Sequence, residues 1–105
     1  MAIGFPASYR HEIKFNCSRE NAGEAVVYTL EATGWLFQIL GPDAFVAETP
    51  FNASSVKEDI SVSIFDPNLI AVESTCAWFQ IFDWGKNRRN VERFLSICIP
   101  RLTHF

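Results

Sequence analysis

The chain has 105 residues, of which 49% are hydrophobic, including ten Phe and three Trp. This length and composition predict one globular domain over residues 1–105 and argue against a disordered chain. No stretch approaches the roughly 20 apolar residues of a spanning helix, and the first residues lack the basic start and long apolar segment of a secretory signal. We therefore expect a soluble, cytoplasmic protein.

The formal net charge of −3 is distributed unevenly along the chain. Residues 1–83 carry four basic and eleven acidic side chains, whereas residues 84–105 carry five basic and one acidic. Such asymmetry has two explanations: an anion-binding end, or a basic helix that lies over an acidic sheet of the same molecule.

The first two predicted elements are a strand and a helix. Residues 9–17 alternate between apolar and polar side chains, as in a half-buried strand. Ser18 or Asn21 is a suitable N-cap, and apolar residues at helical spacing predict a helix over 21–33. Gly34 is able to adopt the left-handed conformation that ends a helix.

Four short strands bounded by turn residues are predicted next. Their ranges are 35–40, 44–49, 56–65 and 69–77, with turns at Gly41-Pro42-Asp43 and Asp66-Pro67-Asn68 and a loop over 50–55.

The last element is a helix for which Asp83 is the predicted N-cap. Its apolar stripe includes Val91, Phe94 and Cys98, and Pro100 is expected to end it near Ile99, because the residue before a proline is disfavoured in helical geometry. The element order β-α-β-β-β-β-α predicts an α+β fold, in which a five-stranded antiparallel sheet is covered on one face by two helices.

The alternation assigns side chains to the two faces of this sheet. The helix-covered face is predicted to carry Ile13, Phe15, Trp35, Phe37, Ile39, Ile60, Val62, Ile64, Ile70 and Val72. The open face, suited to solvent or a shallow ligand surface, is predicted to carry Gln38, Ala47, Thr49, Ser61, Ser63, Glu73 and Thr75. The phase of the third strand is open, since Phe45 and Val46 point to opposite sides: either Phe45 lies on the open face or a bulge shifts the register.

The segment 83–95, DWGKNRRNVERFL, carries a resemblance to a known family. It resembles the closing signature of a bacterial and plastid family of uncharacterised domains, which enters its last helix through Asp-x-Gly-x-Asn followed by basic residues and an apolar pair. Matching features upstream are Gly34-Trp35, Glu58-Asp59-Ile60 and Glu73-Ser74, although the family often has Arg where this chain has Glu73. The element order is also similar to one repeat of the TATA-binding-protein-like fold. These resemblances imply an architecture and no activity.

The start of the last helix is the candidate ligand site. Lys86, Arg88 and Arg89, together with Asp83 and Asn87, could hold a phosphate or carboxylate against the free N–H groups of the first turn. The structural alternative is that Asp83 caps the helix, Asn87 ties the loop to the sheet, and the cations face the acidic sheet.

Other chemistry is not indicated by the sequence. Cys17, Cys76 and Cys98 are predicted to be buried structural thiols, and no metal or cofactor site is predicted. Glu58 and Asp59 are neighbours in a strand, so they point to opposite faces, and solvated side chains are expected. The aromatic residues of segment 78–84 precede basic ones, an arrangement that suits single-stranded nucleic acid, but the acidic pI of about 5.3 argues against it.

The absence of recognisable site chemistry favours a non-catalytic domain that binds a protein partner, a second copy of itself or a small ligand. The alternative is a small enzyme or anion-binding protein that uses the basic start of the last helix.

Overall fold

The computed structural model describes residues 8–50, 58–76 and 86–104. The elements are β1 (Ser8–Lys14), α1 (Arg19–Thr33), β2 (Leu36–Gly41), β3 (Ala44–Glu48), β4 (Glu58–Phe65), β5 (Leu69–Cys76) and α2 (Lys86–Leu102). The predicted loop segment 51–55, the start of the fourth strand at 56–57, the predicted cap Asp83 and the aromatic residues of 78–84 lie outside the described residues.

The five strands form one antiparallel sheet in the order β1-β5-β4-β3-β2, with β1 and β2 as its edges. Both helices pack against the sheet and against each other, because the sheet has one apolar face that water would otherwise cover. The predicted α+β fold and element order are confirmed.

Helix α1 begins earlier than the predicted Asn21. Ser18 is the N-cap, with extended backbone angles, and its Oγ accepts a hydrogen bond of 3.0 Å from the backbone N–H of Asn21. The helix ends as predicted at Gly34, which adopts a left-handed conformation with φ = 78°. This conformation is higher in energy for a residue with a Cβ atom than for glycine.

Helix α2 does not end near Ile99, so that prediction was wrong. It continues through Pro100 to Leu102, whose side chain is buried in the core. The guanidinium of Arg101 lies 4.6 Å from the ring centre of Tyr28 on α1. Burial of Leu102 and this cation–π contact offset the hydrogen bond that proline cannot donate.

The register of β3 answers the open question about its phase. Phe45 pairs with Val62 and Ala47 pairs with Ile60, so both lie on the helix-covered face, where they are buried. The register shift lies in β2, between Ile39 and Gly41, rather than in β3.

Two predicted face assignments on β3 are therefore wrong, and a third residue is less covered than expected. Ala47 and Thr49 are buried under the helices instead of lying on the open face. Ile39 shares the helix side with Phe45 but is 55% exposed, because it lies on the edge strand β2.

Arg19 links the start of α1 to two turns of the sheet through ion pairs and a hydrogen bond. Its guanidinium lies 2.6 Å from Asp66 in the β4–β5 turn and 3.3 Å from Asp43 in the β2–β3 turn, and it donates a 3.0 Å hydrogen bond to the carbonyl of Ile64. The helix is thereby positioned across the strands at the end of the sheet where these turns lie.

The two glycines of α1 provide a test of this local structure. Gly34→Ala should destabilise the domain by about 1 kcal/mol, because the left-handed conformation is strained for alanine even though its Cβ would have no neighbour within 4 Å. Gly23→Ala should instead stabilise by roughly 0.5–1 kcal/mol, since alanine favours a helix interior and its Cβ would make an ordinary 3.7 Å contact with Pro42 O. Urea denaturation measures the change in the free energy of unfolding for both variants. Changes of the same sign would contradict the different roles given to Gly34 and Gly23.

Candidate functional site

A buried carboxylate occupies the first position of β4. Glu58 is only 3% exposed and lies on the helix-covered side, in phase with Ile60. Its backbone N–H donates a 2.8 Å hydrogen bond to Thr49 Oγ1, and its Oε1 lies 3.3 Å from that hydroxyl and 3.2 Å from Asn90 Nδ2. A carboxylate out of water requires such partners, because burial strongly disfavours an unpaired charge.

The hydrogen bonds continue from Glu58 to β5 and back to α2. Asn90 Nδ2 donates to Ser74 Oγ at 3.2 Å, and Ser74 Oγ donates to Asn87 Oδ1 at 2.7 Å. Ser74 and Asn87 are completely buried. The network therefore connects the first turns of α2 to β4, to β5 and to Thr49, which follows β3. Asn87 is one of the residues that attach this helix to the sheet.

Lys86 supplies the charge opposite Glu58. Its Nζ lies 3.7 Å from Glu58 Oε2, an ion-pair distance that is too long for a hydrogen bond. Glu58 Oε2 is buried and has no hydrogen-bond partner. One oxygen of the carboxylate is thus fully engaged, while the other has an electrostatic partner alone.

The side chain of Glu58 lines a cleft of about 270 Å³ between α2 and the end of the sheet. The other described walls include the indole of Trp35 and the cationic side chains of Lys86, Arg89 and Arg93. Arg93 also donates a 3.1 Å hydrogen bond to the carbonyl of Thr33, in the last turn of α1, where the helix dipole favours a cation.

The predicted ligand-binding residues of α2 do not form one group. Lys86 and Arg89 line the cleft, and Asn87 lies buried behind it in the hydrogen-bond network. Arg88 points elsewhere, since its Nε is 3.0 Å from Glu92 on the exposed side of the helix, and this ion pair raises its pKa. Asp83 lies outside the described residues.

Glu58 was missed as a functional residue by the sequence analysis, which expected it to be solvated. Its neighbour Asp59 is exposed and points to the opposite face, as predicted. The signal was nevertheless present, because Glu58 has the same parity as Ile60, Val62 and Ile64 in an alternating strand, and this phase places it under the helices.

The open sheet face carries a second concavity of about 790 Å³ near β2. Gln38, Ser61 and Thr75 are among its lining residues, together with Asp59 and Leu36. Ser63 and Glu73 lie on the same face, directly opposite Ala71 and Ser61 of the neighbouring strands. Five of the six predicted open-face site residues therefore do share this face, and Thr49 is the exception.

Strand β2 is an edge of the sheet formed by the described strands, and it carries exposed apolar side chains. Leu36 is 75% exposed, Ile39 55% and Leu40 60%, and no residue of the strand is charged. Exposed edges of this composition are sites where further strands add.

The described thiols lack the features of nucleophiles. Burial raises the pKa of the Cys98 thiol to about 11, and burial also raises that of Cys17. The thiolate is the reactive form of cysteine. Within residues 8–50, 58–76 and 86–104, no group of three His, Cys, Asp or Glu side chains is arranged to hold a metal ion.

A scan against protein-family models and a search of curated proteins found no match to this chain. The family resemblance of segment 83–95 therefore stays a prediction. In the part of the chain that the structure describes, neither helix has the length and apolar character needed to cross a bilayer.

The buried hydrogen bond between Ser74 and Asn87 is open to a double-mutant cycle. Ser74→Ala and Asn87→Ala should each destabilise by roughly 1–3 kcal/mol, since each removes the hydrogen bond between two completely buried side chains. The double variant should cost less than the sum, with a coupling energy of about 1 kcal/mol in chemical denaturation.

Ser96 provides the control for this cycle. Its hydroxyl donates to the carbonyl of Arg93 on the exposed side of α2, so Ser96→Ala should change stability by less than about 0.5 kcal/mol and should be additive with Asn87→Ala. If the effects of Ser74→Ala and Asn87→Ala were additive, their hydrogen bond would contribute nothing to the free energy of unfolding.

Proposed function

We propose that this chain is a non-catalytic interaction domain that self-associates by pairing the β2 strands of two copies. The observation that carries the proposal is the exposure of Leu36, Ile39 and Leu40 on an uncharged sheet edge. The described thiols, whose pKa values are raised by burial, and the carboxylate engaged in a structural network favour binding over catalysis.

The two edges of the sheet differ in the way that this proposal requires. Edge strand β1 carries Arg10, Glu12 and Lys14, and the first two form an exposed ion pair of 2.8 Å. Charged side chains on an edge discourage the addition of another strand, because pairing would desolvate them. Strand β2 contains no charged residue, so among the described strands one edge of the sheet is protected by charge and the other is not.

A second copy is the favoured occupant because β2 is complementary to itself. Antiparallel pairing about a two-fold axis at Gln38 places Leu36 near Leu40 of the copy and Phe37 near Ile39 of the copy. Apolar side chains then meet apolar ones, and the two Gln38 amides face each other. A closed two-fold contact of this kind yields a dimer rather than a fibre.

The concavity of the open face supports the same arrangement. It is lined by residues of β2, β3 and β4, including Leu36, Gln38 and Ser61, and therefore reaches the edge where the copies would meet. Pairing would join the two concavities across a continuous sheet and cover part of Leu36. We place this dimer in the cytoplasm, a reducing compartment that suits free thiols such as Cys17 and Cys98.

Sedimentation equilibrium tests the proposal with two isoleucines of similar exposure. Ile39→Lys puts a charge on the β2 edge and should convert a dimer into a monomer, since pairing would bury or oppose the new cations. Ile99 on α2 is 44% exposed and lies away from the edge, so Ile99→Lys should leave the dimer intact.

Two outcomes would overturn self-association through β2. One is a wild-type chain that stays monomeric at the highest concentration reached. The other is a dimer that Ile39→Lys leaves unchanged, since this would move the interface to another surface. Circular dichroism of each variant establishes that the lysine has not unfolded the domain.

A further inference from the structure

We propose that the open face of the sheet is a docking surface for an amphipathic, basic helix of a partner protein. The surface consists of the concavity of about 790 Å³, which is lined by residues of β2, β3, β4 and β5, and of the side chains beside it on β5. It uses side chains on the face of the sheet, whereas self-association uses the backbone edge of β2. The proposal therefore stands whether or not two copies pair.

The half of this surface on β4 and β5 is acidic. Asp59 lines the concavity and is exposed, and the half-buried Glu73 lies directly opposite Ser61, another lining residue. Within the described part of the chain, neither carboxylate forms an ion pair. Arg10 lies opposite Glu73 on β1, but its guanidinium is engaged with Glu12 at 2.8 Å. Since the described lining residues include no basic side chain, a partner that carries cations is favoured.

The half of this surface on β2 and β3 is mainly apolar. Leu36 lines the concavity and is 75% exposed, and Val46 lies beside it on β3. Apart from Glu48, the other side chains of these two strands that line the concavity are apolar or neutral. An exposed leucine gains from being covered, because its burial removes apolar surface from water. A partner that suits both halves therefore has an apolar stripe with cations next to it.

The spacing of the two halves matches the width of a helix. Leu36 on β2 and Asp59 on β4 lie in one row of the register with β3 between them, which places them about 10 Å apart across the sheet. An α-helix with its side chains is about 10–12 Å in diameter. A helix lying along β3 would cover Leu36 and Val46 with its apolar side chains. Basic side chains on its flank would reach Asp59 and Glu73, as in the recognition of amphipathic helices by grooves.

Fluorescence anisotropy of labelled model peptides with the full chain tests the proposal. The first peptide has about 18 residues, roughly 27 Å as a helix, with leucines on one face and lysines beside them. It should bind about tenfold or more tightly than a peptide of the same composition with a scrambled stripe, and than a peptide with glutamate in place of lysine. Added salt should weaken it, because salt screens exposed charges. No binding of the lysine peptide, or equal binding of all three, would overturn the proposal.

A charge reversal on the open face has a matched control on α1. Asp59→Lys should weaken the lysine peptide by about tenfold or more, whereas Glu31→Lys makes the same change of charge at an exposed position of the helix layer and should leave the affinity unchanged. Asp59→Lys should also bind the glutamate peptide more tightly than the wild type does. Equal effects of the two variants would show that only the net charge of the chain matters, and would refute the proposal. If Asp59→Lys is unfolded by circular dichroism, Glu73→Lys provides the same test.

Two further measurements separate this surface from other binding modes. Ile39→Lys should keep its affinity for the lysine peptide, because Ile39 lies on the helix side of the sheet. A loss of peptide binding in this variant would place the site at the β2 edge and overturn the proposal. Spermidine, a small organic cation, should displace the peptide only at much higher concentration. Displacement at equal concentration would replace the helix by a small cation as the ligand of this face, and would also overturn the proposal.

Discussion

The burial of one carboxylate constrains how the second helix lies on this sheet. Glu58 is in phase with the apolar residues of β4 and is carried under the helices by the same alternation that buries Ile60. A charge in that position is tolerated only with an opposite charge and hydrogen-bond donors nearby. Lys86 and Asn90 provide them from α2, and Thr49 provides a hydroxyl from the neighbouring chain segment. These contacts hold the first turns of α2 against the ends of β4 and β5.

The uneven charge of the chain acquires a physical explanation from these contacts. The basic character of the last helix is partly neutralised inside the molecule, since Lys86 faces Glu58 and Arg88 faces Glu92. Arg93 binds the carbonyl end of α1, which lacks a basic residue in its own last turn. Internal pairing therefore accounts for part of the basic charge of the last helix.

The two faces of the sheet carry different kinds of side chain. Dimerisation would use the β2 edge and the open face beside it, where side chains are apolar or neutral. The helix-covered side instead contains the buried hydrogen-bond network of Glu58, Ser74 and Asn87. This division follows because the two helices cover one face of the sheet: polar groups on that face become buried, while the other face stays in contact with solvent.

Local patterns were sufficient for much of the fold and for little of the site. Alternation placed Ile60, Val62 and Ile64 on one face, and the conformational freedom of Gly34 marked the end of α1, because both depend on a few consecutive residues. The phase of β3 could not be predicted, since Phe45 and Val46 are both apolar and only pairing with β4 distinguishes them. Pro100 stays helical because Leu102 finds a place in the core, a gain that no local pattern contains. The site followed the same rule: Lys86, Arg89 and Asn87 were recognised as candidates, but the partners of Glu58 come from positions up to 32 residues away in the chain. Only tertiary packing brings such distant polar groups together. The free energy of removing each group from water is offset by contacts that exist only in the folded chain.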